Sequence, residues 1–164
     1  KIIINAFGLD KPGIVSKVTK IINSYNGNIE ISKMIQLESE FTLLLLVEIH
    51  EKYCNKLFKK LRGIKDLEVN GKITTKKYNP NDSIFYKFSI TLADNEGIIY
   101  MFSNLFKQHK INIVNMDTYI KNAANTGFPI FFLKSNIMVP LKCNIEKLTS
   151  QKSYCLHLDD IAIA

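Results

Sequence analysis

"GLDKPGIVSKVTKIINSYNGNIE", Gly8 to Glu30, sets a glycine, an aspartate and a Pro-Gly pair ahead of an apolar run, and closes on Asn-Gly-Asn. Within the run Ile14, Val18, Ile21, Ile22 and Tyr25 recur with helical spacing, which predicts a helix over 13–26 with one buried stripe. Asn26 and Gly27 stop that helix. Upstream, Lys1 to Phe7 is an apolar, β-rich run. Downstream, Ile29 to Leu37 reads as a strand, Ser39 and Glu40 as a turn, and Phe41 to Ile49 as a second strand. There Phe41, Leu43, Leu45, Val47 and Ile49 share one face. Tyr53, Leu57, Phe58 and Leu61 form another helical stripe ended by Gly63, and Leu67, Val69 and Ile73 make a last strand.

The same unit occurs twice. Shifted by 84 positions, "DKPGIVSKVTKIINSYNGNI" lies over "DNEGIIYMFSNLFKQHKINI" without a gap. Asp10 meets Asp94, Gly13 meets Gly97, Ile14 meets Ile98, Asn28 meets Asn112 and Ile29 meets Ile113. The apolar positions between these ends coincide as well: Val15 with Ile99, Val18 with Phe102, Ile21 with Leu105, Ile22 with Phe106. Matching ends together with a matching period mark an internal repeat. In the second copy the expected elements are a strand over Ile84 to Ala93, a helix over Gly97 to Lys110, and middle strands over Asn112 to Ile120 and Phe128 to Met138. Pro140 is expected to open the region of a last helix bearing Leu141, Ile145 and Leu148, and Tyr154 to Ile163 to close the sheet. Each copy then has the order strand, helix, strand, strand, helix, strand. That is a split βαβ, or ferredoxin-like, α+β sandwich with helices on one face of an antiparallel sheet. The expected domains are 1–78 and 84–164, joined by "KKYNPNDS", Lys76 to Ser83, which has linker composition.

Composition narrows the function. The net charge of +7 comes almost entirely from lysine, with Arg62 the sole arginine. The basic run Lys72, Lys76 and Lys77 is short and adjoins the linker. Nucleic-acid footprints cluster Lys and Arg with stacking aromatics, so direct nucleic-acid binding is not expected. Cys54, Cys143 and Cys155 are odd in number and far apart, and the sequence shows neither a signal peptide nor an apolar run of spanning length. The expectation is a reduced, cytoplasmic protein with no membrane association.

In its motifs the chain resembles the ACT domain family, the small ligand-binding modules attached to many enzymes and regulators of amino-acid metabolism. The first copy matches that family's Asp, basic residue, Pro, Gly, Ile, Val pattern at Asp10 to Val15, followed after the helix by "GNIE" at Gly27 to Glu30. The tandem arrangement is similar to the glycine cleavage system transcriptional repressor group, in which two modules are joined with nothing else. "FTLLLLVEI" and "GFPIFFLKSNIMVP" fit that group's middle strands. The resemblance implies a small amino-acid effector held between the first loop and helix of one module and a strand of a neighbour. It also implies a protein partner, or self-association through the modules, as the route of regulation. The implied binding residues are Asp10, Lys11, Pro12, Gly13 and Ile14 with Asn28 and Ile29, and, as a second site, Asp94, Asn95, Gly97 and Ile98 with Asn112.

The chemistry of these residues suits that ligand. An amino acid needs anion donors and an anion side by side. A helix start offers free N–H groups and a positive dipole end to the carboxylate. Gly13 lets a ligand approach the backbone, Asp10 can meet the ammonium, and Asn28 offers both a donor and an acceptor. A purely structural reading also accounts for Asp10 as an N-cap and Pro12 as a first-turn residue. In the second copy Glu96 replaces the proline and sets a further carboxylate at the helix start, which predicts a silent site. There is no Walker or dinucleotide fingerprint. His50, His109 and His157 form no metal-like pattern beyond Cys155 with His157, and no catalytic constellation, metal site or cofactor is expected. The rival readings are the regulatory portion of an enzyme such as a formyltetrahydrofolate deformylase or phosphoserine phosphatase, and a structural interaction module.

Overall fold

The computed structural model describes residues 1–75 and 82–143, with the backbone of 155–160. The chain divides into two units, Lys1–Lys77 and Tyr78–Ala164. In the first, β1 (Ile2–Leu9), α1 (Ile14–Ser24), β2 (Asn28–Leu37), β3 (Glu40–Glu48), α2 (Glu51–Arg62) and β4 (Leu67–Ile73) follow one another. The sheet order is β2-β3-β1-β4 and every pairing is antiparallel. This is the ferredoxin-like arrangement.

Alternation sets the two faces of that sheet. Ile2, Ile4 and Ala6 of β1 pair with Val47, Leu45 and Leu43 of β3, and all six are buried beneath the helices. Val18 and Ile22 of α1 and Leu57 and Leu61 of α2 close over them with no more than 1% exposure. Each helix therefore contributes one stripe to a single core, as its period requires.

The end of α1 divides two tasks between neighbouring residues. Asn26 takes the left-handed conformation (φ 56°). Its N–H donates to the Asn23 carbonyl at 2.9 Å, and the Gly27 N–H donates to the Ile22 carbonyl at 3.0 Å. This is a Schellman motif with asparagine, not glycine, at the left-handed position. Gly27 is required for space instead: a Cβ there would lie 2.7 Å from Ile22 Cγ2 and 3.2 Å from Val47 Cγ1. Gly27→Ala is accordingly expected to lower the stability of this unit by about 1–3 kcal/mol, the usual cost of overpacking, readable as a lower urea midpoint. At the start of α2, His50 is the N-cap, its Nδ1 accepting the Lys52 N–H at 3.4 Å.

The second unit holds β5 (Ser83–Ala93), α3 (Ile98–Gln108), β6 (Asn112–Asn122), β7 (Pro129–Pro140) and β8 (Cys155–Asp160), in sheet order β6-β7-β5-β8. Phe88, Phe102 and Phe106 pack edge to face in its core, with ring centroids 4.9 and 5.7 Å from Phe88. Lys110 (φ 57°) repeats the Asn26 role, with Ile111 donating to the Phe106 carbonyl at 2.9 Å. One expectation is corrected here. Pro140 ends β7, where its register partner is Ser83, and Leu141 lies in a turn in which Cys143 N–H donates to the Pro140 carbonyl. A proline fits the end of that strand because its missing N–H breaks no internal ladder. Ile145 and Leu148 of the expected last helix lie outside the described residues.

Candidate functional site

The Asp10–Gly13 loop is anchored at both ends. Asp10 N–H donates to the Ser39 carbonyl at 2.9 Å, tying the loop to the β2–β3 turn, and Lys11 Nζ meets Asp66 Oδ2 at 2.8 Å. Gly13 is the N-cap of α1, with φ 86° and ψ −2°, and no side chain caps the helix. That conformation is accessible to glycine and costly for other residues. A Cβ built on Gly13 meets nothing within 4 Å, so the space beside Gly13 itself is open. The Ile14 N–H donates to the Lys11 carbonyl at 3.2 Å, and the other N–H groups of the first turn, which no side chain caps, are of the kind a carboxylate binds.

Several expectations change at this site. Asp10 does not cap α1; Gly13 does. Lys11 is engaged by Asp66 in a half-exposed ion pair, so it serves the loop's shape first. Pro12 is exposed in the turn before Gly13. Ile14 and its repeat Ile98 are each 5% exposed and sit in the two cores, where they pin the helix starts and offer no side chain to a ligand.

The largest change concerns Asn28. It begins β2 opposite Glu48, at the end of the sheet where β1 starts, whereas Asp10 to Gly13 follow the finish of β1, where Leu9 pairs with Glu40. The length of α1, 11 residues, separates them, about 16 Å at 1.5 Å per residue. Asp10 and Asn28 therefore do not meet within one module. Both are exposed, and Ile29 beside Asn28 is packed against the core. Sequence proximity to a helix says nothing of which end of the sheet a residue reaches.

The second unit repeats the geometry. Gly97 is the N-cap of α3 with φ 82°, again with open space beside it, and Asp94 N–H donates to the Pro129 carbonyl at 3.0 Å. Asn95 and Glu96 are exposed, and Asn112 starts β6 opposite Met138, again a helix length from the loop. Elsewhere, a cavity of about 460 Å³ lies between α1 and α2, lined by Ile21, Tyr25 and three lysines, and one of about 630 Å³ adjoins His109 and Cys143. Neither touches the loops. Among the described residues no three His, Cys, Asp or Glu side chains are grouped as a metal site would group them, and no helix is long and apolar enough to cross a membrane.

Comparison with known proteins agrees with this architecture. The family model for the ACT domain matches residues 1–72. The glycine cleavage system transcriptional repressor of Escherichia coli K12 is 30% identical over 127 residues, 76% of this chain and 67% of that protein. A protein of unknown function from Galdieria sulphuraria superposes with a TM-score of 0.86 at 20% identity, covering 98% of both chains. A structure provisionally described as a glycine cleavage system transcriptional repressor superposes at 0.70, also at 20% identity, over 98% of this chain and 97% of that one. The chain belongs to the ACT domain family, as a tandem pair of modules similar to the glycine cleavage system transcriptional repressor.

Proposed function

We propose that this chain is a non-catalytic regulator that binds a small amino acid at the first-module loop and passes its state to a protein partner. The supporting observation is the first turn at Gly13, which no side chain caps, with the exposed Asp10 three residues before it, features that can meet the carboxylate and the ammonium of a zwitterion. The separation of Asn28 from that loop gives the reading its form. β2 is an edge strand, exposed along almost its whole length. When the β2 edges of two copies run antiparallel, Asn28 of one comes to the Leu37 end of the other, the end that carries Asp10 to Gly13. The effector then lies between modules, with its carboxylate on the helix start of one and the amide of Asn28 from the other.

Such a site couples ligand to assembly, because the ligand favours the paired state by its difference in affinity between states. The name of the Escherichia coli relative extends the reading to transcriptional control of glycine metabolism, exerted in the cytoplasm through a DNA-binding partner and not by direct contact with DNA. The second-module loop, with Glu96 at the helix start, is read as silent.

A thermal-shift screen of the proteinogenic amino acids tests the reading. At 100 times its dissociation constant the effector adds about 2.7 kcal/mol to stability, a clear rise in Tm for one amino acid or a small related group. A flat response to all of them would refute the sensor role.

A further inference from the structure

The side of the first sheet turned away from the helices is unusually apolar. Register places Ile31, Ile35 and Leu37 of β2, Leu44 and Leu46 of β3, and Ile3, Phe7 and Leu9 of β1 on this one side. Exposure there is 54% for Ile31, 50% for Ile35, 71% for Leu37, 44% for Leu44 and 45% for Phe7. Contiguous apolar surface of this kind marks an interaction site.

The second module supplies an internal control. Its sheet has the same order and the same irregularity, between Ile113 and Asn115 as between Ile29 and Ile31. At matching register positions Ile31 is replaced by Asn115, Leu44 by Lys134, Leu46 by Asn136 and Phe7 by Thr91. The fold thus tolerates polar residues at these four positions, although on the same side of the second sheet Tyr119 and Phe132, in the places of Ile35 and Thr42, stack with ring centroids 4.9 Å apart.

We infer that this face is a self-association surface, packing against the same face of a second copy of the chain. Charge decides the occupant. The chain carries +7, yet on this face Lys1 is paired with Glu30, and Lys33 and Lys72 stand among Glu40, Glu48 and Glu68, so the surplus of cations is absent here. A face with charges of both signs and no cationic excess does not select nucleic acid or an acidic partner, and its lysines and glutamates can meet those of a second copy. The charges lie on the outer strands or at strand ends, with Leu44, Leu46, Ile3 and Phe7 inside them as in the core and rim of protein interfaces, while Ile31, Ile35 and Leu37 carry the apolar surface out onto β2. Near the centre, Thr42 Oγ1 donates to Asn5 Oδ1 at 3.1 Å, so part of the buried polarity is already satisfied. Size is also sufficient. Four strands about 4.8 Å apart, seven residues long at about 3.4 Å each, give roughly 450 Å² in plan per copy. Two copies give roughly 900 Å² in plan, and side-chain relief brings this to the roughly 1,000 Å² that a biological interface must clear. A two-fold face-to-face contact closes, as most homo-oligomers do, and it leaves the β2 edge free.

The test is the double variant Leu44→Lys/Leu46→Asn, which installs the residues that the second module carries at the same places. Both lie on β3, inside the sheet, so the β2 edge used for effector binding is untouched. Light scattering should give the variant half the mass of the wild-type chain, with circular dichroism and the amino-acid-induced Tm shift retained. A monomeric wild-type chain, or a folded variant of unchanged mass, would overturn the inference. Should the double variant unfold, Phe7→Thr, the second module's residue on β1, is to give the same fall in mass, and an unchanged mass in that variant overturns it equally.

Discussion

Leu57→Ala is expected to remove between about 2 and 5 kcal/mol from the first module, the range for a fully buried leucine whose cavity relaxes only in part. Leu57 has no exposed surface and belongs to the cluster that joins β1, β3, α1 and α2. For a unit of this size each kcal/mol lowers Tm by about 4–8 °C, so a fall of at least about 8 °C follows. The two cores are separate clusters, the second built on Phe88, Phe102 and Phe106. Calorimetry should therefore show one transition displaced and the other in place. A loss below about 1 kcal/mol would mean that α2 is not held by this core.

Much of that core was legible in the sequence. Phe41, Leu43, Leu45 and Val47 alternate as a strand covered on one side must, and Val18, Ile22, Leu57 and Leu61 keep helical period, so burial followed from spacing alone. The repeat carried the same reading into the second module, where Phe102 and Phe106 replace Val18 and Ile22. What spacing could not show was division of labour between adjacent residues. Asn-Gly after α1 reads as a helix stop, but in the fold the asparagine takes the left-handed conformation and the glycine makes room for Ile22. Likewise, Pro140 reads as a helix start because prolines favour first turns, whereas it ends a strand. The candidate site was legible as a list of residues and not as a place. Gly13 and its first turn stand where the motif put them, while Asn28 lies across the sheet and Ile14 lies in the core. The apolar outer face was also present in the alternation of Leu44 and Leu46 with buried neighbours. It became informative only once register paired those leucines with Lys134 and Asn136.

Asp10→Ala and Asn28→Ala are each expected to weaken effector binding by about 10- to 100-fold, the effect of losing a hydrogen bond to a charged group worth roughly 1.5–3 kcal/mol. Both side chains are exposed, so neither substitution removes a core contact and both variants should melt near the wild-type temperature without ligand. The equivalent changes in the second module, Asp94→Ala and Asn112→Ala, should leave affinity unchanged if that site is silent. Calorimetric titration with the amino acid found in the screen separates these outcomes. Full affinity in both first-module variants would dissociate the loop from ligand recognition.

The central claim, that the effector site is shared between two copies and completed by residues from opposite ends of a module, is tested most directly by mixing. Chains carrying only Asp10→Ala and chains carrying only Asn28→Ala are combined in equal amounts, allowed to exchange, and titrated. A pair made of one of each contains one intact site and one doubly damaged site, so random exchange restores about a quarter of the wild-type sites, with wild-type affinity. That recovery, from two preparations that each bind weakly, is the predicted result. A mixture that binds no better than its components, beside a wild-type chain that binds normally, would contradict the shared site.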